Sequence, residues 1–499
     1  MNKRELQRLV ARLERESEAA PEAYRLKVVL LAALGYAYVF LITALALSGL
    51  LWALWQLLDG DFFGATKVGL LSGLISLFLV PALWVRIPQP QGRILTAADV
   101  PKLFAMIEKI RNKAQGPKID QVMINDVFNT SILQIPRLGI LGWHRNVLVI
   151  GLPFLQALSR KEFAAILAHE FGHLSGRHGK LGTWIYRIRT VWMQVHDSFS
   201  EGDGFAQLLL TRFLRSYIPY FNAYSFVLAR QDEYEADRLA AAIVGPRTLA
   251  DALIAITVRG RFIEDCFWRD LWSRADRHIT PPFLPHSAMR TALNLGLREE
   301  QAEQWLSEEL KHDTFSDDTH PCLRERILAL DTACELPPDA THSAAQALLG
   351  DRLPELQHAF DGLWLQHNEV RWRERFQTVA TAQDTARRLE KREQQTLSPT
   401  ELGHYALALE TLGRTDEALP LLRQAADHPQ GTASAALAAA RILHTRDDET
   451  TIRYLELAMQ RDRSLCEEAT TQAGAFYEAR GDSDKANPYW KRLNELQSA

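Results

Sequence analysis

A long run without charge near the N-terminus is the feature that most constrains how this chain can fold. Residues 28–58 contain no charged side chain over 31 positions, and residues 68–85 form a second such run of 18. A bilayer requires about 20 apolar residues per helical span. We therefore predict a transmembrane helical hairpin over residues 28–85, with a buried soluble hairpin as the alternative. A cleaved signal peptide is disfavoured, because the first run is too long for its apolar core.

Lysine and arginine residues beside the two runs predict their orientation. The flank before the first run and the exit of the second are basic, whereas the connecting turn carries one lysine. The flanking residues are Lys3, Arg4, Arg8, Arg12, Arg15, Arg25 and Lys27, then Arg86 and Arg93, with Lys67 in the turn. Because basic flanks stay in the cytoplasm, we expect the N-terminus and everything after residue 85 to face it. An apolar stripe in the first segment lies either on the membrane surface or against protein. Its members are Leu6, Leu9, Val10 and Leu13.

The segment His169-Glu170-Phe171-Gly172-His173 is an H-E-x-x-H motif within a predicted helix. Ser159 and Glu162 have the spacing of a capping box, so the helix should begin near Arg160. The two histidines then lie four residues apart on one face, where they can bind one Zn²⁺ while Glu170 acts on a water. This is the chemistry of a zinc peptidase. A glycine inside the helix costs about 1 kcal/mol relative to alanine, so Gly172 indicates that a backbone or ligand approaches closely.

A zinc peptidase site requires a third protein ligand. The segment Arg230 to Asp237 is acidic and reads as part of a helix, with Glu233 and Asp237 four residues apart. We predict that Glu233 binds the metal and that Asp237 accepts a hydrogen bond from the second ring nitrogen of a ligand histidine. Glu235 is the next candidate ligand. A solvated acidic face is the alternative for this segment taken alone.

The two motifs together resemble the M48 family of membrane-associated zinc metallopeptidases, which includes HtpX-like and Ste24-type proteins. That family pairs H-E-x-x-H with a later E-x-x-x-D, and three further segments of this chain look like family segments. They are Asn129-Thr130-Ser131, Gly151-Leu152-Pro153-Phe154-Leu155, and Thr319-His320-Pro321 followed by Arg324, Arg326 and Ile327. Cys322 stands where the family has a second proline. The resemblance covers about residues 95–335 and implies a mainly helical, zincin-like α+β catalytic domain.

A second electrophile should stabilise the tetrahedral oxyanion of peptide hydrolysis. His320 and Arg324 are the candidates, and a structural turn residue before Pro321 is the alternative for His320. A small sheet beside the active helix could hold an extended substrate at its edge. We predict that this edge is either residues 129–135, which contain Asn129, Thr130 and Ser131, or residues 147–150.

Composition limits the partners of the chain. The net charge of −4 gives no electrostatic reason to expect nucleic acid binding. The four cysteines have no paired spacing, so they are expected to be reduced apolar residues in a cytoplasmic domain. Charges interrupt residues 181–229, which are expected to form soluble or interfacial helices rather than spans.

The C-terminal part contains a faint repeat. Gly413-Arg414-Thr415-Asp416-Glu417-Ala418 is echoed 68 positions later by Gly481-Asp482-Ser483-Asp484-Lys485-Ala486, and 68 is twice 34. Thirty-four is the tetratricopeptide period, so residues 398–499 resemble three such helix pairs, with a generic array of helical hairpins as the alternative. Either array would offer a concave surface to a protein partner.

The motifs thus predict a membrane-anchored zinc endopeptidase with protein or peptide substrates, involved in membrane protein quality control or regulated processing. The family resemblance implies the bacterial cytoplasmic (inner) membrane, and an organelle membrane is the alternative. The alternative is a membrane-tethered scaffold or chaperone-like protein with a structural zinc site. Isoprenyl-peptide processing of the Ste24 type is disfavoured, because the chain offers two spans only. The predicted segments are 1–27 (basic, amphipathic), 28–85 (hairpin), 86–94 (linker), 95–335 (peptidase), 336–397 (helical connector) and 398–499 (repeats).

Overall fold

Helices dominate the protein, and one four-stranded sheet lies among the described residues, as the sequence predicts. The computed structural model describes residues 3–83, 89–136, 144–175, 205–314, 320–338, 340–393 and 396–497. Residues 86–88 of the predicted linker, residues 181–204 and Thr319 lie outside these ranges. The chain divides into two compact units, residues 1–268 with 283–364 and residues 269–282 with 365–499.

Three helices begin the first unit: α1 (Lys3–Ala19), α2 (Pro21–Leu58) and α3 (Phe62–Leu83). Among the described residues, α2 is the one helix that is long and apolar enough to cross a membrane, judged by length and composition alone. Residues 216–244 and 246–276 meet the same test only as a pair bent by 120°. The second predicted run is helical as far as residue 83, and its crossing of the membrane stays a prediction.

Small residues lie at the contact between α2 and α3, and large apolar side chains face outwards. Ala46 and Ala53 of α2 are buried, as are Ala65 and Ser72 of α3. A Cβ atom on Gly49 would lie 2.1 Å from Ser72 Oγ, so the helices touch there. The exposed large side chains include Leu45, Leu51, Leu54, Trp55, Leu70 and Leu71. This distribution is the reverse of a water-soluble hairpin and is typical of helices that pack in lipid.

The first helix packs on a later one, α7 (Phe205–Val244). Val10 and Leu13 are buried in one cluster with Phe221 and Phe226 of α7. The apolar stripe therefore packs on protein, which is one of the two alternatives that the sequence left open.

The sheet contains β1 (Arg93–Leu95), β2 (Gln121–Asn125), β3 (Thr130–Pro136) and β4 (His144–Gly151) in the order β1-β2-β4-β3. β2 and β4 are parallel, and the two outer pairs are antiparallel. β3 is thus an edge strand of this sheet. The alternative edge at residues 147–150 is wrong, because these residues lie in β4 between two strands.

Helices α4 (Pro101–Ala114), α5 (Leu152–Ala157), α6 (Arg160–Leu174) and α8 (Pro246–Phe262) build the core with the sheet. The buried residues of α4 include Leu103, Ile107 and Ile110. α6 packs against α4, α7, α8 and β3, so the helix with the H-E-x-x-H motif lies at the centre of the unit.

Shorter helices complete this part of the chain. They are a π-helical turn (Ile263–Phe267), α9 (Trp268–Ser273), a 3₁₀ turn (Arg274–Asp276), α10 (Pro285–Gly296), α11 (Glu299–Glu309), α12 (Leu323–Ala329), α13 (Ala344–Leu349) and α14 (Arg352–Glu390). α12 packs on α7 and α8. α13 and α14 lie within residues 336–397, for which the sequence predicts a helical connector.

Three helix pairs follow in the second unit. They are α15 (Pro399–Thr411) with α16 (Thr415–Asp427), α17 (Ala433–Thr445) with α18 (Thr451–Arg461), and α19 (Cys466–Ala479) with α20 (Ser483–Gln497), and a 3₁₀ turn (Arg463–Leu465) precedes α19. The turns inside the pairs contain Gly413, Asp447 and Gly481, spaced by 34 residues, with φ of 77°, 55° and 71°. The helical repeat is confirmed, and its assignment to the tetratricopeptide class stays a prediction.

Candidate metal centre

Both histidines of the H-E-x-x-H motif lie on one face of α6. The helix begins at Arg160 behind a capping box formed by Ser159 and Glu162, as predicted. One helical turn separates His169 from His173, and their Nε2 atoms are 3.1 Å apart. His169 is buried, whereas the side chain of His173 is 29% exposed. The pair therefore forms one wall of a site that is open on the His173 side.

α7 brings Glu233 to the two histidines. Glu233 Oε2 lies 3.5 Å from His169 Nε2, and Glu233 Oε1 lies 3.4 Å from His173 Nε2. This approach depends on Gly172, because a Cβ atom there would lie 2.7 Å from the Cα atom of Ala236. The predicted close approach at Gly172 is confirmed, and the approaching group is the α7 backbone.

The donor set fits a divalent metal. His169, His173 and Glu233 each offer an atom, and these atoms all lie within 4.8 Å of one another. Two nitrogen ligands about 2.0–2.1 Å from a tetrahedral Zn²⁺ would be roughly 3.3 Å apart, close to the observed separations. Glu233 Oε2 is buried and accepts no hydrogen bond among the described residues. A buried carboxylate oxygen without a hydrogen-bond donor has a free lone pair for a metal.

The charge states of these residues suit metal binding. Burial and the neighbouring His169 lower the pKa of His173 to about 4, so its imidazole is neutral at pH 7. Burial would raise the pKa of Glu233, but a hydrogen bond from His320 and the adjacent histidines lower it to about 2. Neutral imidazole and carboxylate are the forms that bind metal.

Asp237 lies behind His169, as predicted. Its Oδ1 atom is 2.9 Å from His169 Nδ1, the ring nitrogen that faces away from the other donors. Arg326 of α12 donates to both carboxylate oxygens of Asp237, at 2.6 and 2.8 Å. Burial would raise the pKa of Asp237, but these contacts lower it below its ordinary value. The bidentate pair fixes the carboxylate, which in turn fixes the ring of His169.

Glu170 lies between the histidines and the sheet edge. Burial raises the pKa of its carboxyl group to about 7, despite the opposing effect of His169. The backbone N–H of Ile132 in β3 hydrogen-bonds to the carboxylate. A carboxyl group with a pKa near 7 can both accept and donate a proton at neutral pH. Ile132 belongs to the strand that the sequence analysis predicts as the substrate-binding edge.

The two candidate oxyanion residues lie in different places. His320 reaches the site, with Nδ1 2.9 Å from Glu233 Oε1, and this hydrogen bond raises the pKa of His320. Arg324 is directed elsewhere, since its guanidinium donates to Asp313 at 2.5 Å and to the Leu310 carbonyl at 3.3 Å. The assignment of Arg324 to the oxyanion is therefore corrected, because its two described partners hold it at the α11–α12 connection.

Arg326 is the residue to which the sequence analysis assigned no role. Residues two apart on a helix point about 200° away from each other, so Arg324 and Arg326 cannot both face α7. Leu323 and Ile327 are the buried residues of α12, and Arg324 and Arg326 flank this face on its two sides. The apolar spacing of α12 therefore does not tell which of the two arginines faces α7.

The predicted substrate residues lie at the start of β3. Asn129 precedes the strand, and its Oδ1 atom accepts from the Thr130 N–H at 2.8 Å. Thr130 and Ser131 pair with Ile150 and Val149 of β4. β3 also contacts α6, where the Ile132 backbone hydrogen-bonds to Glu170.

Comparisons with known proteins agree with this geometry. Residues 140–333 match the model of peptidase family M48. The chain is also 26% identical to a "Protease HtpX homolog" from Gemmatimonas aurantiaca over 307 residues, which are 58% of this chain and 96% of the relative. The matched region contains both motif-bearing helices and α12. Fold, donor geometry and both matches agree: residues 140–333 of this chain are similar to peptidase family M48.

Proposed function

We propose that the protein is a membrane-anchored, zinc-dependent endopeptidase. The observation that carries the proposal is the convergence of His169, His173 and Glu233 at separations suited to Zn²⁺, with Glu170 beside them. Zn²⁺ bound there would act as a Lewis acid, lowering the pKa of a water towards 7 and polarising a carbonyl.

Glu170 is the proposed general base. Its carboxylate accepts a proton from the water that attacks the scissile carbonyl, and then donates a proton to the leaving amine. Its pKa of about 7 suits both steps. A structural zinc site has no need of such a base and normally has four protein ligands, which favours the peptidase over the scaffold alternative.

The substrate is proposed to bind as an added strand along β3. One edge of β3 does not pair with β4, β3 contacts α6, and the Ile132 N–H hydrogen-bonds to Glu170. An extended peptide there would present its backbone to the metal centre by main-chain hydrogen bonds. His320 is the proposed donor to the oxyanion, since it adjoins Glu233 and its side chain is 59% exposed.

The membrane anchor is proposed to be the α2–α3 hairpin. α1 packs on α7, so the segment before α2 lies on the same side of a bilayer as the peptidase domain. This requires an even number of crossings between α1 and β1, which α2 and α3 supply. The small-residue contact between the two helices supports the pairing in lipid. The basic flanks favour a cytoplasmic location of the peptidase and repeat segments, at the bacterial inner membrane.

The domain organisation is proposed as in the sequence analysis, with a peptidase domain over residues 95–335, a connector over 336–397 and repeats over 398–499. The repeats are proposed to recruit a protein partner or substrate. The biological role is proposed to be quality control or regulated processing of membrane proteins.

Substitution of two glutamates tests the assignment. Glu170→Ala should retain one zinc per chain and reduce peptide cleavage by at least about a hundredfold, because the base is lost but the ligands remain. Glu233→Ala should lose zinc and activity together. Glu235→Ala is the matched control, and it should keep both. Undiminished cleavage by Glu170→Ala would reject the base, and zinc loss in Glu235→Ala alone would move the third ligand to Glu235.

A further inference from the structure

Arg230, one turn of α7 before the metal-centre glutamate, joins three elements. Its guanidinium pairs with Glu14 of α1 and with Glu325 of α12, and its side chain is only 16% exposed. We propose that Arg230 is a positioning residue that clamps the helix ahead of the membrane anchor to α12, and so holds Arg326 and His320 at the metal centre. This inference rests on the proposed function.

Glu325 also binds side chains beyond Arg230. Its carboxylate accepts hydrogen bonds from the Tyr234 hydroxyl at 3.2 Å and the Thr314 hydroxyl at 3.0 Å. Thr314 Oγ1 in turn accepts from the Cys322 N–H at 2.8 Å. The network therefore fixes the chain immediately after His320 as well as the first turn of α12.

Two side chains of α12 fasten it to α7. Glu325 pairs with Arg230 and accepts from Tyr234, and Arg326 forms the bidentate pair with Asp237. Arg230 and Asp237 are seven residues apart, about 10 Å along a helix, and Glu233 lies between them. α12 has seven residues, too few to be a stable helix by itself. Its orientation therefore depends on its anchors, and loss of one should displace the other.

An arginine suits this position better than a lysine. The planar guanidinium offers donors in two directions, so one side chain can bridge carboxylates from α1 and α12. A lysine at this position presents a single charge on a flexible stem. Removal of the cation would leave Glu14 and Glu325 facing each other without compensation. The expected order of function is therefore Arg, then Lys, then Ala.

The test compares Arg230→Ala, Arg230→Lys and Glu14→Ala with Glu18→Ala, an exposed glutamate on the same helix. Full-length protein is assayed for zinc content, kcat and KM, and metal-free protein for hydrogen–deuterium exchange. Arg230→Ala should keep zinc, lower kcat about tenfold or more with KM within about twofold, and speed exchange over residues 320–330. Arg230→Lys should recover part of kcat, Glu14→Ala should lose several-fold, and Glu18→Ala should match the parent protein.

Unchanged exchange over residues 320–330 in Arg230→Ala would overturn the clamp, whatever the value of kcat. Faster exchange throughout the first unit would also overturn it, because Arg230 would then support the fold in general. If Glu18→Ala lowered kcat as much as Glu14→Ala, the result would exclude a specific role of Glu14. The exchange arm needs neither zinc nor activity, so a parent protein without zinc-dependent cleavage would refute the proposed function and leave the clamp to be judged separately.

Discussion

The chemistry of the site depends on the protonation and orientation of a few buried side chains. His173 is neutral and Glu233 is charged at pH 7, because their surroundings lower both pKa values, to about 4 and about 2. His169 is oriented by Asp237, which is itself held by Arg326. In the proposed metal centre, Asp237 and Arg326 would therefore preorganise His169 without binding the metal themselves.

Removal of the Asp237 charge should weaken metal binding without removing a ligand. Asp237→Asn keeps the size of the side chain but loses the charged acceptor for His169 Nδ1 and Arg326. We expect zinc affinity to fall by about 10–100-fold, measured by competition with a chromophoric chelator. Glu235→Gln, on the opposite side of the same helix and paired with Arg25, is the control. Equal affinity in both variants would show that Asp237 does not orient the ligand.

Residue identities at the site were largely predictable, because helical spacing fixes which side chains share a face. His169, Glu170 and His173 are neighbours for this reason, and Glu233 and Asp237 follow from the same rule on α7. The partner of Asp237 was missed, since contacts between α12 and α7 depend on tertiary packing. Arg324 was chosen and Arg326 was not, because the two flank the apolar residues Leu323 and Ile327 on opposite sides and the spacing does not tell which side faces α7.

At the scale of elements, the site exists because α6 and α7 pack closely. The contact occurs at Gly172, where α7 presents the backbone of Ala236 at a distance that excludes a side chain. Each helix supplies part of the donor set, so their separation determines the distance from the histidines to Glu233.

A methyl group at position 172 should separate the two helices. In Gly172→Ala the added Cβ would meet the Ala236 backbone at 2.7 Å, so we expect a loss of about 1–3 kcal/mol of unfolding free energy together with reduced zinc occupancy. Gly362→Ala is the control, because that helical glycine has nothing within 4 Å of an added Cβ. It should be neutral or stabilising by up to about 1 kcal/mol. Chemical denaturation and zinc analysis give both readouts, and a stabilised Gly172→Ala with full zinc would contradict the packing argument.

The turns of the three helix pairs show why the second pair is hard to recognise in the sequence. Gly413 and Gly481 mark the turns of the first and third pairs, whereas the second pair has Asp447 at the same left-handed position. Aspartate tolerates this conformation better than most residues, so the backbone repeat persists where the glycine signal is absent. The order of the strands in the sheet could not be predicted from the sequence either. The pairing of β2 with β4 depends on long-range contacts that periodicity does not encode.

At the scale of the whole molecule, α1 is part of the unit that contains the candidate metal centre. α1 contributes Val10 and Leu13 to a cluster with α7, which composition alone could not distinguish from a membrane-surface helix. The long apolar helix α2 was predictable from the length of its uncharged run, whereas the docking of α1 depends on the shape of α7.

Site-directed labelling can test this topology. In a variant without the native cysteines, Asp59→Cys in the α2–α3 turn and Glu18→Cys at the end of α1 are both exposed positions. In spheroplasts with a sealed inner membrane, a membrane-impermeant maleimide should label Asp59→Cys only, because the two positions are proposed to lie on opposite sides of the bilayer. Detergent should expose both. Labelling of both before detergent would contradict the hairpin.

Anomalous X-ray diffraction at the zinc edge, from crystals of the full-length protein, tests the central claim most directly. The account predicts one zinc peak per chain, about 2 Å from His169 Nε2, His173 Nε2 and a Glu233 oxygen, with no fourth protein ligand. A peak located elsewhere, or one enclosed by four protein side chains, would contradict a catalytic zinc centre.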